Sequence, residues 1–199
     1  ITTFIFAPYF ATSFIGDAVR GQELWGYTQA AVGLIIALLS PVLGAIADRM
    51  GRRKPWIAAF GVLYVAGNLA LWFAAPGASS VALVIMAAVV AAGIAAEFII
   101  VFSNAMLPDL VSQRGLGRLS GIGWGIGYVG GLLSLVLVIG LPELLDAAGQ
   151  WVGPLTAVWF LVFAPPLFLF TPDSSATGLR ISQAVREGLS QLCQTILHV

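Results

Sequence analysis

The chain is predicted to be an all-α integral membrane protein, and three observations carry the prediction. Of 199 residues, 59% are hydrophobic and only 9% charged, with a mean hydropathy of +0.98, far outside the soluble range. Six apolar runs, at about residues 1–15, 27–48, 55–75, 81–107, 119–141 and 151–172, alternate with short polar connections. The lysines and arginines fall almost wholly on every second connection. In hydrocarbon a backbone polar group must be satisfied within its own segment, so such runs read as helices.

The first run, residues 1–15, would make a helix only about 22 Å long, short of the roughly 30 Å hydrocarbon core. It is expected to be the outer part of a first span whose beginning lies upstream. No cation precedes Arg20 and the first methionine is Met50, so no signal peptide is read, and the chain is expected to be a piece of a longer protein. Residues 16–26, with Asp17, Arg20 and Glu23, read as a polar connection.

The second run, 27–48, contains Pro41, which is expected to kink it. Gly33, Ala37, Pro41, Gly44 and Asp48 recur every three or four residues, placing small residues on one face where another helix can approach closely. Asp48 closes that stripe at the membrane edge. It either accepts hydrogen bonds from a neighbouring helix N-terminus or pairs with Arg49 or Arg52 as a solvated acid.

Pro55 suits the first turn of the third run, 55–75, and Trp56 and Trp72 suit its two interfaces. A short turn, Pro76 to Ser80, leads to the fourth run, 81–107, long enough to need tilt. Glu97 lies there, the one ionisable side chain deep in any apolar run. An ionised carboxylate in hydrocarbon is expensive. Glu97 is therefore protonated at rest, bonded to a neighbouring helix, or facing a water-filled cavity that a cation, a solute amine or a proton can reach. Asn104, two turns on, extends a polar stripe or serves as glue between helices.

The fifth run, 119–141, is dense in glycine, and the pairs Gly121/Gly125, Gly123/Gly127 and Gly127/Gly131 suggest tight helix packing. Tyr9, Trp124 and Tyr128 are candidates for a cavity wall, against the alternative of interfacial or packing aromatics. An acidic loop, 141–150, holds Glu143 and Asp146 before the sixth run. In the tail, 173–199, the spacing of Ile181, Val185, Leu189, Leu192 and Ile196 predicts an amphipathic helix on the membrane surface or under the bundle.

Laid on six spans, eight of the nine cations fall on one side and only Arg20 on the other. The positive-inside rule then places the loops with Arg52 and Arg114, and the tail, in the cytoplasm. One cysteine, Cys193, and one histidine, His198, exclude a disulfide framework and a Cys/His zinc site. No phosphate-cradling G-x-x-x-x-G-K-[ST] and no nucleophile with a base are present, so neither an ATPase nor another enzyme is read. No cofactor is expected, and nucleic acid binding has no support.

Between the second and third runs, Gly44 to Lys54 spells G-x-x-x-D-R-x-G-R-R-K, with Asp48, Arg49, Gly51, Arg52 and Arg53 at the matching places. This resembles the signature loop of major facilitator superfamily transporters. Four further segments resemble one branch, the bacterial relatives of the autophagy-related vacuole effluxer permeases. They are Phe6-Ala7-Pro8-Tyr9-Phe10, Ser40-Pro41 leading through the basic loop to Lys54-Pro55-Trp56, Phe102 to Leu110, and Gly117 to Gly131.

The resemblance implies a six-transmembrane-helix half of a twelve-helix major facilitator fold, its first helix truncated at the start. It implies a secondary-active permease that works by alternating access in a bacterial inner (plasma) membrane. The implied partners are the lipid bilayer, a small solute, with an amino acid as one candidate, and the missing C-terminal six-helix half. The alternative function is a non-transporting membrane scaffold or a degenerate transporter fragment. Ser103 departs from the aromatic that relatives carry, and the fifth run lacks the proline of the superfamily's antiporter motif.

Overall fold

A computed structural model describes residues 2–49, 51–139 and 148–173 together with Gln183 and Arg186. For Asp48, Arg49, Val138, Ile139 and Ala148 the backbone alone is described. The described residues form helices joined by short turns, with no strand among them. Among the described residues five helices are long and apolar enough to cross a membrane: Ala18–Ala47, Lys54–Phe73, Ser79–Leu110, Gln113–Leu137 and Gly149–Phe170.

A shorter segment, residues 2–14, precedes them and is labelled α1. Wide π turns over Thr2–Phe6 and Phe10–Phe14 flank a short α-helical stretch, Ala7–Tyr9. The Ile15 N–H accordingly donates to the Phe10 carbonyl, five residues back, at 3.0 Å. Phe6, Phe10 and Phe14, spaced every four residues, are fully buried.

Helix α2, Ala18–Arg49, starts well before the expected residue 27. Gly16 adopts a positive φ of 76°, and the Asp17 carboxylate accepts from the N–H groups of Val19 and Arg20 at 2.9 and 3.0 Å. That is an N-cap, so the polar residues 18–26 form the helix's first turns instead of a connection. The helix also continues through Pro41.

The remaining elements are α3 (Lys54–Ala70, extended by a 3₁₀ turn, Leu71–Phe73), α4 (Ala82–Leu110), α5 (Gln113–Ile139), α6 (Ala148–Phe163) and α7 (Pro165–Phe170). Gly77, at φ 75°, turns the chain from α3 to α4, and its N–H donates to the Ser13 carbonyl at 3.2 Å. Pro at the first position of α7 restarts the helix after a break at Ala164.

Close helix approach depends on glycines that were not singled out in the sequence. A Cβ on Gly67 of α3 would lie 2.9 Å from the Ala88 carbonyl of α4, and one on Gly93 of α4 would lie 3.1 Å from Val32 of α2. A Cβ on Gly153 of α6 would run into the Asn68 backbone and lie 2.7 Å from Leu71 of α3. Among the described residues nothing lies within 4 Å of a Cβ built on Gly121, Gly123, Gly125, Gly127 or Gly131, so the α5 glycines pack against no helix of this chain. Gly33 and Gly44 of α2 are equally open.

Two apolar cores form at opposite ends of the bundle. One joins Phe6, Phe10 and Phe14 to Trp25, Leu71, Ile85 and Val152. The other joins Ile46, Ile57, Phe98, Phe102 and Met106, with the Trp56 ring stacked on Phe102 at 5.6 Å and 1°. The acidic loop over 141–147 and most of the predicted amphipathic tail, with Cys193 and His198, lie outside the described residues.

Candidate functional site: a cavity at the waist of the bundle and a charged clasp

Glu97 stands about 22 Å along α4 from Ala82 and about 20 Å from Leu110, close to the middle of the helix. It is exposed and opens into a cavity of about 250 Å³ at the waist between the two cores. Trp25 and Gln29 of α2, Tyr64 and Asn68 of α3, Gly93 and Glu97 of α4 and Thr2 and Thr3 of α1 line it. No lysine or arginine is among the lining residues. The carboxylate therefore faces neutral amide, hydroxyl and aromatic groups, which solvate a charge without neutralising it. Asn68 is buried and fixed by its side-chain N–H donating to the Tyr64 carbonyl at 2.9 Å.

A second polar assembly closes one end of the bundle. Gly51, with φ 73°, turns the loop between α2 and α3. Beyond it the Arg53 guanidinium pairs with the Asp109 carboxylate at the end of α4, and its Nε donates to the Ala47 carbonyl at 3.1 Å. The Arg53 backbone N–H donates to the Asp173 carboxylate at 3.0 Å. Lys54 Nζ donates to the carbonyls of Phe168 at 2.9 Å and Thr171 at 2.5 Å. One loop thus fastens the ends of α2, α4 and α7.

The sequence matches the Major Facilitator Superfamily over residues 1–197. The chain belongs to the major facilitator superfamily. It is also 28% identical over 179 residues to the "Uncharacterized MFS-type transporter YxiO" of Bacillus subtilis (strain 168), an alignment covering 84% of this chain and 41% of that protein. The chain therefore spans about two fifths of the length of that curated relative. No solved structure matches. Major facilitator membership and multiple apolar helices support a multi-pass membrane protein of a transporter family.

In this major facilitator chain the signature loop supplies the clasp through Gly51, Arg53 and Lys54, while Arg52 is exposed. Gly44 borders open space, and the side chains of Asp48 and Arg49 lie outside what is described. Of the other expected site residues, Glu97 lines the cavity, whereas Asn104 is exposed on α4 away from it. Tyr9 does not line the cavity: its hydroxyl donates to the Ala74 carbonyl at 2.7 Å, and its ring fills the space a Gly149 side chain would need. Trp124 and Tyr128 sit near each other on the exposed part of α5, ring centroids 6.1 Å apart.

Trp25, Gln29, Tyr64 and Asn68 were not anticipated. Gln29 and Asn68 carried a signal, since each is an amide within an otherwise apolar run. Trp25 fell in the stretch read as a connection.

Proposed function

We propose that this chain is the six-helix N-terminal half of a twelve-helix secondary-active transporter that moves a small solute, with amino acids as one candidate class. The observation that carries the reading is the cavity around Glu97, midway along the apolar helix α4. A carboxylate placed near the bilayer centre without a basic partner on the cavity wall is suited to a positive charge that arrives and leaves: a solute ammonium or a coupling proton. Trp25 and Tyr64 add aromatic surface that favours an ammonium, and Gln29 and Asn68 add hydrogen-bonding amides. At about 250 Å³ the cavity suits a small solute.

The open small-residue faces of α2 and α5 support a missing second half. Only 11% of the apolar window of α2 and 6% of that of α5 is buried, against 33% for α4. Lipid covers such faces, but glycines and alanines in register favour another helix. Rocking of the two halves about the Glu97 cavity would then give alternating access. The clasp side is cytoplasmic by its cations, the membrane a bacterial inner (plasma) membrane. The Phe6 to Phe10, Ser40-Pro41, Phe102 to Leu110 and Gly117 to Gly131 segments support the branch related to vacuole effluxer permeases.

The test is counterflow by the full-length protein in proteoliposomes over a panel of amino acids, amines, sugars and organic acids. Exchange of at least one amine-bearing solute is expected. No exchange of any solute by a folded protein would favour a non-transporting scaffold.

A further inference from the structure

Away from the Glu97 cavity, a groove of about 420 Å³ runs along the outside of the bundle between α3 and the α6–α7 pair. Its lining is apolar throughout, including Ile57, Val62 and Leu69 on one wall and Leu161 and Phe168 on the other. Gly61 contributes no side chain, so the Phe160 ring, 3.2 Å from where a Gly61 Cβ would stand, forms the floor. From Ile57 to Leu69 the α3 wall is about 18 Å long, enough to cross one leaflet of the roughly 30 Å hydrocarbon core.

The two ends of the groove differ. One turn before Ile57, Lys54 is held beside Phe168 by its bonds to the Phe168 and Thr171 carbonyls. Those partners are neutral and leave its charge in place. Arg52, two residues earlier, is exposed. Arg53 is turned inward, its guanidinium pairing with Asp109, while its backbone N–H holds the Asp173 carboxylate, which keeps its charge and is outweighed by Lys54 and Arg52 together. The N-terminus of α3 adds its own positive dipole end at the same place.

We propose that this groove binds one anionic phospholipid of the adjacent leaflet, with an acyl chain along α3 and the headgroup phosphate at Lys54 and Arg52. An apolar channel one leaflet deep, capped by two cations at the level of the headgroups, complements a lipid at both ends. A purely apolar helix seated there would leave the cationic rim without a counterpart. The lipid in turn would bear on Lys54 and so on the clasp that joins α3 to α7.

The test uses the full-length protein in detergent, offered equimolar phosphatidylglycerol and phosphatidylcholine and examined by native mass spectrometry. One tightly held phosphatidylglycerol is expected, preferred roughly tenfold over phosphatidylcholine. Arg52→Gln, which leaves the Lys54 bonds intact, should cut the preference severalfold, and Arg52→Gln with Lys54→Gln should erase it. Ala58→Trp, at an exposed position on the groove wall, should reduce retention of both lipids. Equal retention of the two lipids by the unaltered protein would overturn the proposal. So would a preference unchanged in Arg52→Gln, or efficient disulfide cross-linking of Val62→Cys between two copies in the membrane.

Discussion

The Tyr9 hydroxyl donates to the carbonyl of Ala74 at 2.7 Å, tying the first helical segment to the end of α3 across 65 residues of sequence. Ala74 follows the 3₁₀ turn that ends α3, where its carbonyl is released from helical bonding. Tyr9→Phe should therefore lower stability by about 1 kcal/mol, as one hydrogen bond would. Gly149→Val should destabilise more, by about 2–3 kcal/mol, because the Tyr9 ring lies where the new side chain must go. Thermal melts of the purified protein, followed by tryptophan fluorescence, give the order; a Tyr9→Phe effect larger than that of Gly149→Val would contradict it.

The clasp makes a separate prediction. Arg53 is largely buried and Asp109 is 43% exposed, so solvent screening holds their coupling to about 1 kcal/mol. Asp109→Asn should loosen the end of α4 against the loop and alter the transport rate more than solute affinity. The swap Arg53→Asp with Asp109→Arg should recover part of the loss, which a double-mutant cycle on initial rates measures. No recovery would mean that the loop is held by Lys54 and the Asp173 contact instead.

On α5, Gly125→Leu or Gly127→Leu should leave α1 to α4 undisturbed, since both positions border open space in this chain. In the full-length protein the same changes should reduce assembly or activity about tenfold if a second half covers that face. Unaltered activity in both variants would show that the α5 glycines face lipid.

Spanning segments were legible because the bilayer leaves few alternatives: an apolar run of the right length has to be helical. The turn at Gly51 was legible as well, since glycine tolerates its positive φ. The start of α2 was not, because Arg20, Gln22 and Glu23 look like loop residues although they lie on a helix capped by Asp17. Water at the membrane boundary solvates such charges without ending the helix. The glycines of α5 border open space in this chain, because a small-residue stripe signals only that contact is possible, while Gly67, Gly93 and Gly153 make the contacts seen here. Glu97 stood out as a lone charge, but its companions come from three other segments and meet only through packing at the waist.

The most direct measurement is concentrative uptake by proteoliposomes bearing the full-length protein, with and without a pH gradient, for the unaltered chain, Glu97→Gln and Asn104→Ala. Glu97→Gln should reduce uptake more than tenfold, or make it indifferent to the gradient, at normal expression and folding, with Asn104→Ala close to the unaltered rate. Uptake by Glu97→Gln that keeps both its rate and its response to the gradient would show that the carboxylate at the waist serves the fold alone.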